Sequence, residues 1–477
     1  MTESGRNMKR TKIVCTIGPA CEKEEIITEM IKAGMNVARL NFSHGTHEDH
    51  RKKFNLIKQV REKLNAPIAI MLDTKGPEYR IGTFAGGKIR LREGDTFTFT
   101  VEEVVGDEKR VSVSYKHLIE ELQPGDRILL SNGLLIFEVR ELREREAVCT
   151  VLAGGELSDK KSMSFPNKVL KQQYLSEQDK ADLLLGIELG VDFIACSFVS
   201  QKQDILDIRK FLKEHGGDDI DLIAKIENRA GVNNIEEILE VSDGIMIGRG
   251  DMGVEIPFEE LPSIQKHLIQ KCRILGKRVI TATEMLESMI TNPRPTRAEI
   301  TDVANAVYDG TSAIMLSGET AAGKYPVEAV RTMSKIAVEA ERDIDFIKRF
   351  RNTDFKIKNT VDAISHATCG LAIDVKAKLI VVCTRSGTTA RMVSRYRSPV
   401  NILAMTTNEK VWRKLSLSWG VESIVCDEYT STEVIFYNAV TNAKNRKLAH
   451  TGDTIVITAG NPFGQCGNTN LIKIEKL

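Results

Sequence analysis

The segment Ala224-Lys225-Ile226-Glu227-Asn228 closes the apolar run Ile220-Asp221-Leu222-Ile223 and sets a cation and an acid two residues apart. In a β-strand, residues i and i+2 leave the same face, so Lys225 and Glu227 emerge side by side at its end. Burying both is costly unless they pair with each other or a charged ligand or metal uses them. An internal salt bridge and a binding site are both open readings of this segment.

Other strand ends repeat the pattern. Arg39, Asn41 and Ser43 share one parity in Ala38-Arg39-Leu40-Asn41-Phe42-Ser43-His44. Asp73-Thr74-Lys75-Gly76-Pro77-Glu78-Tyr79-Arg80 gathers acids and bases, and Gly248-Arg249-Gly250-Asp251 lets backbone approach a ligand closely. Thr281-Ala282-Thr283-Glu284 ends another apolar run. One such cluster reads as a loop cap; several on one rim suit phosphoryl transfer. There the protein positions groups and supplies cations to a phosphoryl whose charge spreads over its oxygens. Glu227 and Asp251 offer hard anionic oxygens for Mg²⁺ or Mn²⁺, and Lys225 and Arg80 can neutralise phosphoryl oxygens. Asn41, Ser43, Asp73 and Thr74 suit a larger monovalent ion such as K⁺, or equally a hydrogen-bond network.

The elements that must position these residues form a simple rhythm. Strands are expected at Lys12–Ile17, Val37–Asn41, Ile68–Asp73, Phe193–Phe198, Leu222–Ile226, Gly244–Gly248, Arg278–Thr283 and Ala313–Ser317. Helix-like stretches lie between them, among them Glu24–Ala33, His47–Leu64, Glu177–Glu188, Phe258–Leu275 and Val327–Glu341. Eight βα units with strands too apolar to have a wet face point to a (β/α)8 TIM barrel. Between Pro77 and about Lys168 the pattern becomes short alternating strands joined by Gly/Asp turns, a small all-β domain inserted after the third barrel strand. That position hangs over the barrel's C-terminal face, so the insert reads as a lid, or else as a structural appendage. A separate α/β domain with a mostly parallel sheet follows, with a helix over Thr360–Ile373 and strands Leu379–Cys383, Ile402–Met405 and Thr454–Ile457. The expected division is 1–76 and 169–345 for the barrel, 77–168 for the lid and 346–477 for the last domain.

In that last domain Thr384-Arg385-Ser386-Gly387-Thr388-Thr389 follows a strand and opens a helix, where hydroxyls and backbone N–H groups cradle a phosphate or simply cap the helix. The loop Thr458–Gly467 is Gly-rich and able to close over a ligand.

Composition narrows the classes. The 477 residues are 42 % hydrophobic and 28 % charged, with a net charge of +1, which favours neither nucleic acid nor an anionic membrane. No apolar run reaches the roughly 18 residues that cross a bilayer. Nine cysteines without a CxxC pair fit reduced thiols in a cytoplasm.

Taken together, these segments resemble pyruvate kinase across nearly the whole length. The matching stretches are Thr11–Ala20, Asn41–Gly45, Leu72–Glu78, Ile223–Asn228, Arg249–Pro257, Met285–Met289 and Met315–Thr320. The resemblance implies transfer of the phosphoryl group of phosphoenolpyruvate to ADP, giving pyruvate and ATP, with Mg²⁺ or Mn²⁺ and K⁺ as cofactors. It gives Lys225 the phosphoryl in flight, Glu227 and Asp251 the divalent ion, and Asn41, Ser43, Asp73 and Thr74 the monovalent ion. Arg39 and Arg80 contact phosphate groups, and Thr283 with the backbone at Gly250 holds the substrate carboxylate. Asn41, Phe42, Ser43, His44, Arg80 and Lys161 border the nucleotide, and Thr384 to Thr389 match a sugar-phosphate or nucleotide effector loop. A homotetramer without an extra C-terminal domain is also implied. The chain departs from the usual pattern at Ser131-Asn132, where two acids are usual, and at Glu284, where glutamine is. Gly248 stands for a usual alanine and Ser312 for a usual aspartate, both read as structural.

Two other classes compete with this one. A barrel lyase or aldolase acting through a metal enolate needs an acidic pair and an arginine, but not the lid. A silent sugar-phosphate sensor does not need Lys225, Glu227 and Asp251.

Overall fold

Eight parallel strands close into a barrel in the computed structural model, which describes residues 9–131, 133–166, 168, 170, 173–428, 431–461 and 467–477. They are β1 (Lys12–Thr16), β2 (Val37–Asn41), β3 (Ala69–Asp73), β4 (Phe193–Cys196), β5 (Asp221–Ile226), β6 (Gly244–Gly248), β7 (Arg278–Ala282) and β8 (Ala313–Leu316). Each pairs with its sequence neighbour, and β1 closes on β8.

Alternation decides which residues face inward. Val14, Val37, Ala69, Met71, Phe193, Ala195, Ile223, Met246, Ile280 and Met315 form one buried interior cluster. Two residues onward along the same strands stand Thr16, Arg39, Asp73, Ser197 and Lys225, so the interior's top layer is polar. Two residues back stand Lys12, Asp221 and Arg278, the floor.

Several element limits differ from the sequence reading, each for a local reason. Strand β4 stops at Cys196 because Phe198 takes φ 57, and β7 stops at Ala282 because Thr283 takes φ 70. The stretch expected as one helix from Phe258 is a 3-10 turn, Phe258–Glu260, followed by a helix over Leu261–Leu275. Pro262 accounts for the break: without an N–H it belongs in a helix's first turn. The helices Lys202–Glu214, Ile235–Val241 and Arg297–Asp309 complete the outer ring.

The insert leaves β3 through Gly76, whose φ of 71 and tight fit against Ser197 exclude a side chain. It forms a seven-stranded mixed sheet and a two-stranded ribbon. Alternation in Thr-Phe-Thr-Phe-Thr sends Phe97 and Phe99 into its core against Phe137. In the last domain β9 (Leu379–Cys383), β10 (Asn401–Thr406), β11 (Val421–Val425) and β12 (Thr454–Gly460) run parallel, and β13 (Thr469–Lys476) pairs antiparallel to β12. Strands β11 and β13 were not foreseen. Both lie at a sheet edge and interleave polar residues, Glu422 and Ser423 in one and Asn470, Lys473 and Glu475 in the other, which blurs the apolar signal. Among the described residues no helix is long and apolar enough to cross a membrane. Asn132 and residues 462–466 of the proposed closing loop lie outside the described residues.

Candidate active site

The polar top layer of the barrel is one connected cluster. Lys225, only 9 % exposed, points its ammonium at three groups: Asp73 Oδ1 at 3.1 Å, Glu227 Oε1 at 3.0 Å and Ser197 Oγ at 2.7 Å. Arg39 Nε donates to Asp73 Oδ2 at 2.5 Å and its Nη1 to Thr16 Oγ1 at 2.9 Å. Glu227 Oε2 accepts the N–H of Phe198 at 2.8 Å. The salt-bridge and binding-site readings of Lys225 and Glu227 therefore meet: the two ions pair, and they do so at the open end of the barrel.

Electrostatics show how strongly these groups depend on each other. Burial pushes Glu227 up to about 7, with the carboxylates of Asp251 and Asp73 adding to the rise and Lys225 opposing it. Burial acts on Asp73 in the same sense, but Arg39 and Lys225 outweigh it and hold its carboxyl below the usual range. Burial pulls Lys225 down, yet Asp73 and Glu227 more than offset it, so the ammonium stays charged well above its ordinary value. The repulsion between Glu227 and Asp251 is what a bound divalent cation relieves, and both donors are hard oxygens. These two residues fit such an ion. Gly248, read as structural, borders this site: a Cβ there would stand 2.6 Å from Glu227 Cγ.

The β7 end adds a second group. Thr283 Oγ1 accepts the N–H of Gly250 at 2.8 Å and lies 2.6 Å from the carbonyl of Ala282. Thr283 and Glu284 both take left-handed φ, 70 and 54, a strained pair for side-chain-bearing residues. Arg249 holds them there, donating to the carbonyls of Ala282 and Thr283 while forming a two-pronged pair with Asp302, each bond 2.7 Å. In the sequence Arg249 stands in the Gly248–Asp251 cluster with no role of its own, and Asp302 lies outside every motif. Ser197 and Thr16 were also missed, though each continues the inward parity of its strand.

The remaining candidates spread outward. Asn41 lies opposite Asp73 in the β2–β3 register, its Oδ1 accepting the N–H of Ser43, while Thr74 Oγ1 accepts the N–H of Ser197. Asn41 and His44 line a cavity of about 720 Å³ with Gly18, Pro19 and Lys53, a size suited to a small-molecule ligand. Phe42 is buried and stacks on His50 at 3.8 Å rather than lining that cavity. Arg80 is not on the barrel rim, as its position after Asp73 suggested. It sits on the lid's first strand, Tyr79–Arg80, beyond the turn at Gly76-Pro77. Its Nη2 lies 2.5 Å from Glu78 Oε1 and its Nη1 donates to the Lys160 carbonyl at 2.6 Å. Lys161 is exposed on the next lid loop. The Thr384–Thr389 loop forms a tight turn in which Thr384 Oγ1 accepts the N–H of Gly387, and Ser386 and Thr388 hydroxyls lie 3.0 Å apart. Arg385 and Ser386 are exposed.

Comparison with known proteins gives a consistent result. The family model described as pyruvate kinase, barrel domain, matches residues 8–330, and that described as pyruvate kinase, alpha/beta domain, matches 362–475. A pyruvate kinase of Clostridium acetobutylicum is 48 % identical over 471 residues, covering 98 % of this chain and 99 % of the relative. One from Staphylococcus aureus is 48 % identical over the same length, with 80 % of the relative covered. The crystal structure of a pyruvate kinase from Cryptosporidium parvum superposes with a TM-score of 0.94 at 39 % identity, covering 98 % of this chain and 96 % of that one.

Proposed function

The chain belongs to the pyruvate kinase family, and from that premise we propose that the cluster of Arg39, Asp73, Lys225 and Glu227 is where it moves the phosphoryl group of phosphoenolpyruvate to ADP. The observation that carries this assignment is the buried Lys225 ammonium, held charged by two carboxylates at the mouth of the barrel.

Each group has a task that its position supports. Lys225 and Arg39 offer positive charge to the phosphoryl oxygens, most valuable when the group is in flight between two oxygens. Glu227 and Asp251 would hold Mg²⁺ or Mn²⁺, which when bound neutralises phosphate charge and orients the reacting oxygens. Thr283 and the backbone at Gly250 hold the carboxylate end of the substrate. Once the phosphoryl has left, Thr283 stands near the path by which the enolate gains a proton and becomes pyruvate. Asn41, Ser43, Asp73 and Thr74 are assigned to K⁺. The nucleotide occupies the cavity beside Asn41 and His44, with Arg80 and Lys161 reaching its phosphates from the lid. Homotetramer assembly and a cytoplasmic location complete the proposal.

A steady-state assay coupled to pyruvate tests the reading. ADP-dependent pyruvate formation that needs Mg²⁺ or Mn²⁺ and rises with K⁺ is the expected result. Carbon–carbon cleavage of the product, or no turnover at all, would favour a lyase or a silent sensor instead.

The Thr384–Thr389 turn is assigned to a phosphorylated effector, a sugar phosphate or a nucleotide. Titrating phosphoenolpyruvate with and without candidate sugar phosphates should show activation in the parent enzyme. In the double variant Ser386→Ala, Thr388→Ala the activated and unactivated curves should coincide. Activation that survives both substitutions removes this loop from the proposal.

A further inference from the structure

The closed end of the barrel meets the last domain across a cleft lined by six cationic side chains and, among the described residues, no carboxylate. Three of the six have acids just outside it. Arg278 Nη1 lies 2.7 Å from Asp221 Oδ2, Arg395 Nη1 lies 3.2 Å from Asp362 Oδ1, and Arg391 Nη1 lies 4.0 Å from Asp243 Oδ1.

Arg273 and Arg397 have no such partner, and neither has Arg349 beside them. None of these three forms an ion pair among the described residues; their hydrogen bonds go to neutral groups. They crowd around Gly310, whose carbonyl accepts from Arg397 Nη2 at 3.1 Å. A Cβ at that glycine would be 3.7 Å from both Arg273 Cδ and Arg349 Nη1. Arg397 is 3 % exposed, and its remaining bonds reach the Ser394 carbonyl and the Ser312 hydroxyl. The Nε atoms of Arg273 and Arg397 and the hydroxyl of Ser418, also 3 % exposed, have no partner among the protein atoms. Glu341 is the carboxylate whose charge reaches Arg397, but its oxygens accept the backbone N–H groups of Arg10 and Thr11. Unpaired buried guanidinium groups of like sign are costly. Burial drives Arg397 well below its ordinary value, with Arg273 and Arg349 adding to the fall.

We propose that this cleft binds a small inorganic anion, with the guanidinium groups of Arg273 and Arg397 and the hydroxyl of Ser418 as its donors. The space, about 10 Å³, suits a single halide-sized ion, with a tetrahedral oxyanion the tighter case and a nucleotide excluded. Arg273 lies on the barrel helix Leu261–Leu275, and Arg397 follows the last domain's helix Thr388–Arg395. The anion therefore ties the two domains together.

The test melts the full-length protein at fixed K⁺ and matched ionic strength with chloride, phosphate or gluconate as counter-anion. Tm should rise saturably in chloride or phosphate over gluconate, and which of the two acts separates halide from oxyanion. The variant Ser312→Asp places a carboxylate beside Arg397 Nη2, supplying the missing charge from within, so its Tm should no longer depend on the anion. Independently, crystals of the parent protein grown with bromide or phosphate should show an anomalous peak or tetrahedral density between Arg273 and Arg397. Equal Tm in all three anions overturns the proposal. So does an anion dependence that Ser312→Asp leaves intact, or a cleft empty of both ions in the crystals.

Discussion

Lys225→Met should lower kcat by about 10³-fold or more while changing the KM for phosphoenolpyruvate by less than about tenfold. The methionine keeps the length and apolar stem of the side chain and removes only the ammonium. That ammonium is 9 % exposed and bonded to Asp73, Glu227 and Ser197, so its field acts in a site with little water to weaken it. An interaction that strengthens as negative charge gathers on the phosphoryl raises kcat rather than merely lowering KM. Steady-state kinetics at saturating ADP and divalent ion decide the matter. A variant whose affinity for phosphoenolpyruvate collapsed while kcat held would show that Lys225 only binds substrate.

At the other end of the barrel, Asp192→Ala should cost about 3–5 kcal/mol of unfolding free energy. Asp192 is fully buried and accepts from Ile70 N at 2.9 Å. Its carboxylate also faces two guanidinium groups, Arg413 Nε at 2.9 Å and Arg61 Nη1 at 3.5 Å. Without the carboxylate, both cations and the amide remain buried with one fewer acceptor each. Arg413 comes from the last domain, so the loss should fall on the barrel and on its docking alike. Urea denaturation should show an earlier midpoint, with kcat per folded molecule unchanged because Asp192 lies opposite the catalytic rim. A loss under about 1 kcal/mol would mean that water reaches the two arginines and replaces the acid.

Much of the rim was readable because strands have a period of two. Once Ile223 is taken as inward, Lys225 and Glu227 follow, and the same counting carries Val37 to Arg39 and Met71 to Asp73. Counting failed where the chain leaves the strand conformation. Phe198, whose N–H holds Glu227, and Thr283, whose hydroxyl receives the Gly250 N–H, both sit at left-handed φ just past a strand, where alternation no longer says where a side chain points. Arg80 was assigned to the rim because it follows Asp73 in sequence. Two residues of turn, Gly76 and Pro77, were enough to move it into the lid.

By itself the sequence determined the eight-fold alternation, the interruption by a β insert, and which strand ends carry charge, because periodicity and polarity are local properties of the chain. Pairings between residues far apart were decided only by the fold. Asp73 divides its two oxygens between Arg39 and Lys225, Asp302 steadies Arg249 across the β6–β7 rim, and Asp192 joins two domains through Arg413. Closing the barrel sets distances between strand ends that no local pattern encodes, and burial then fixes how strongly each charge feels its neighbour.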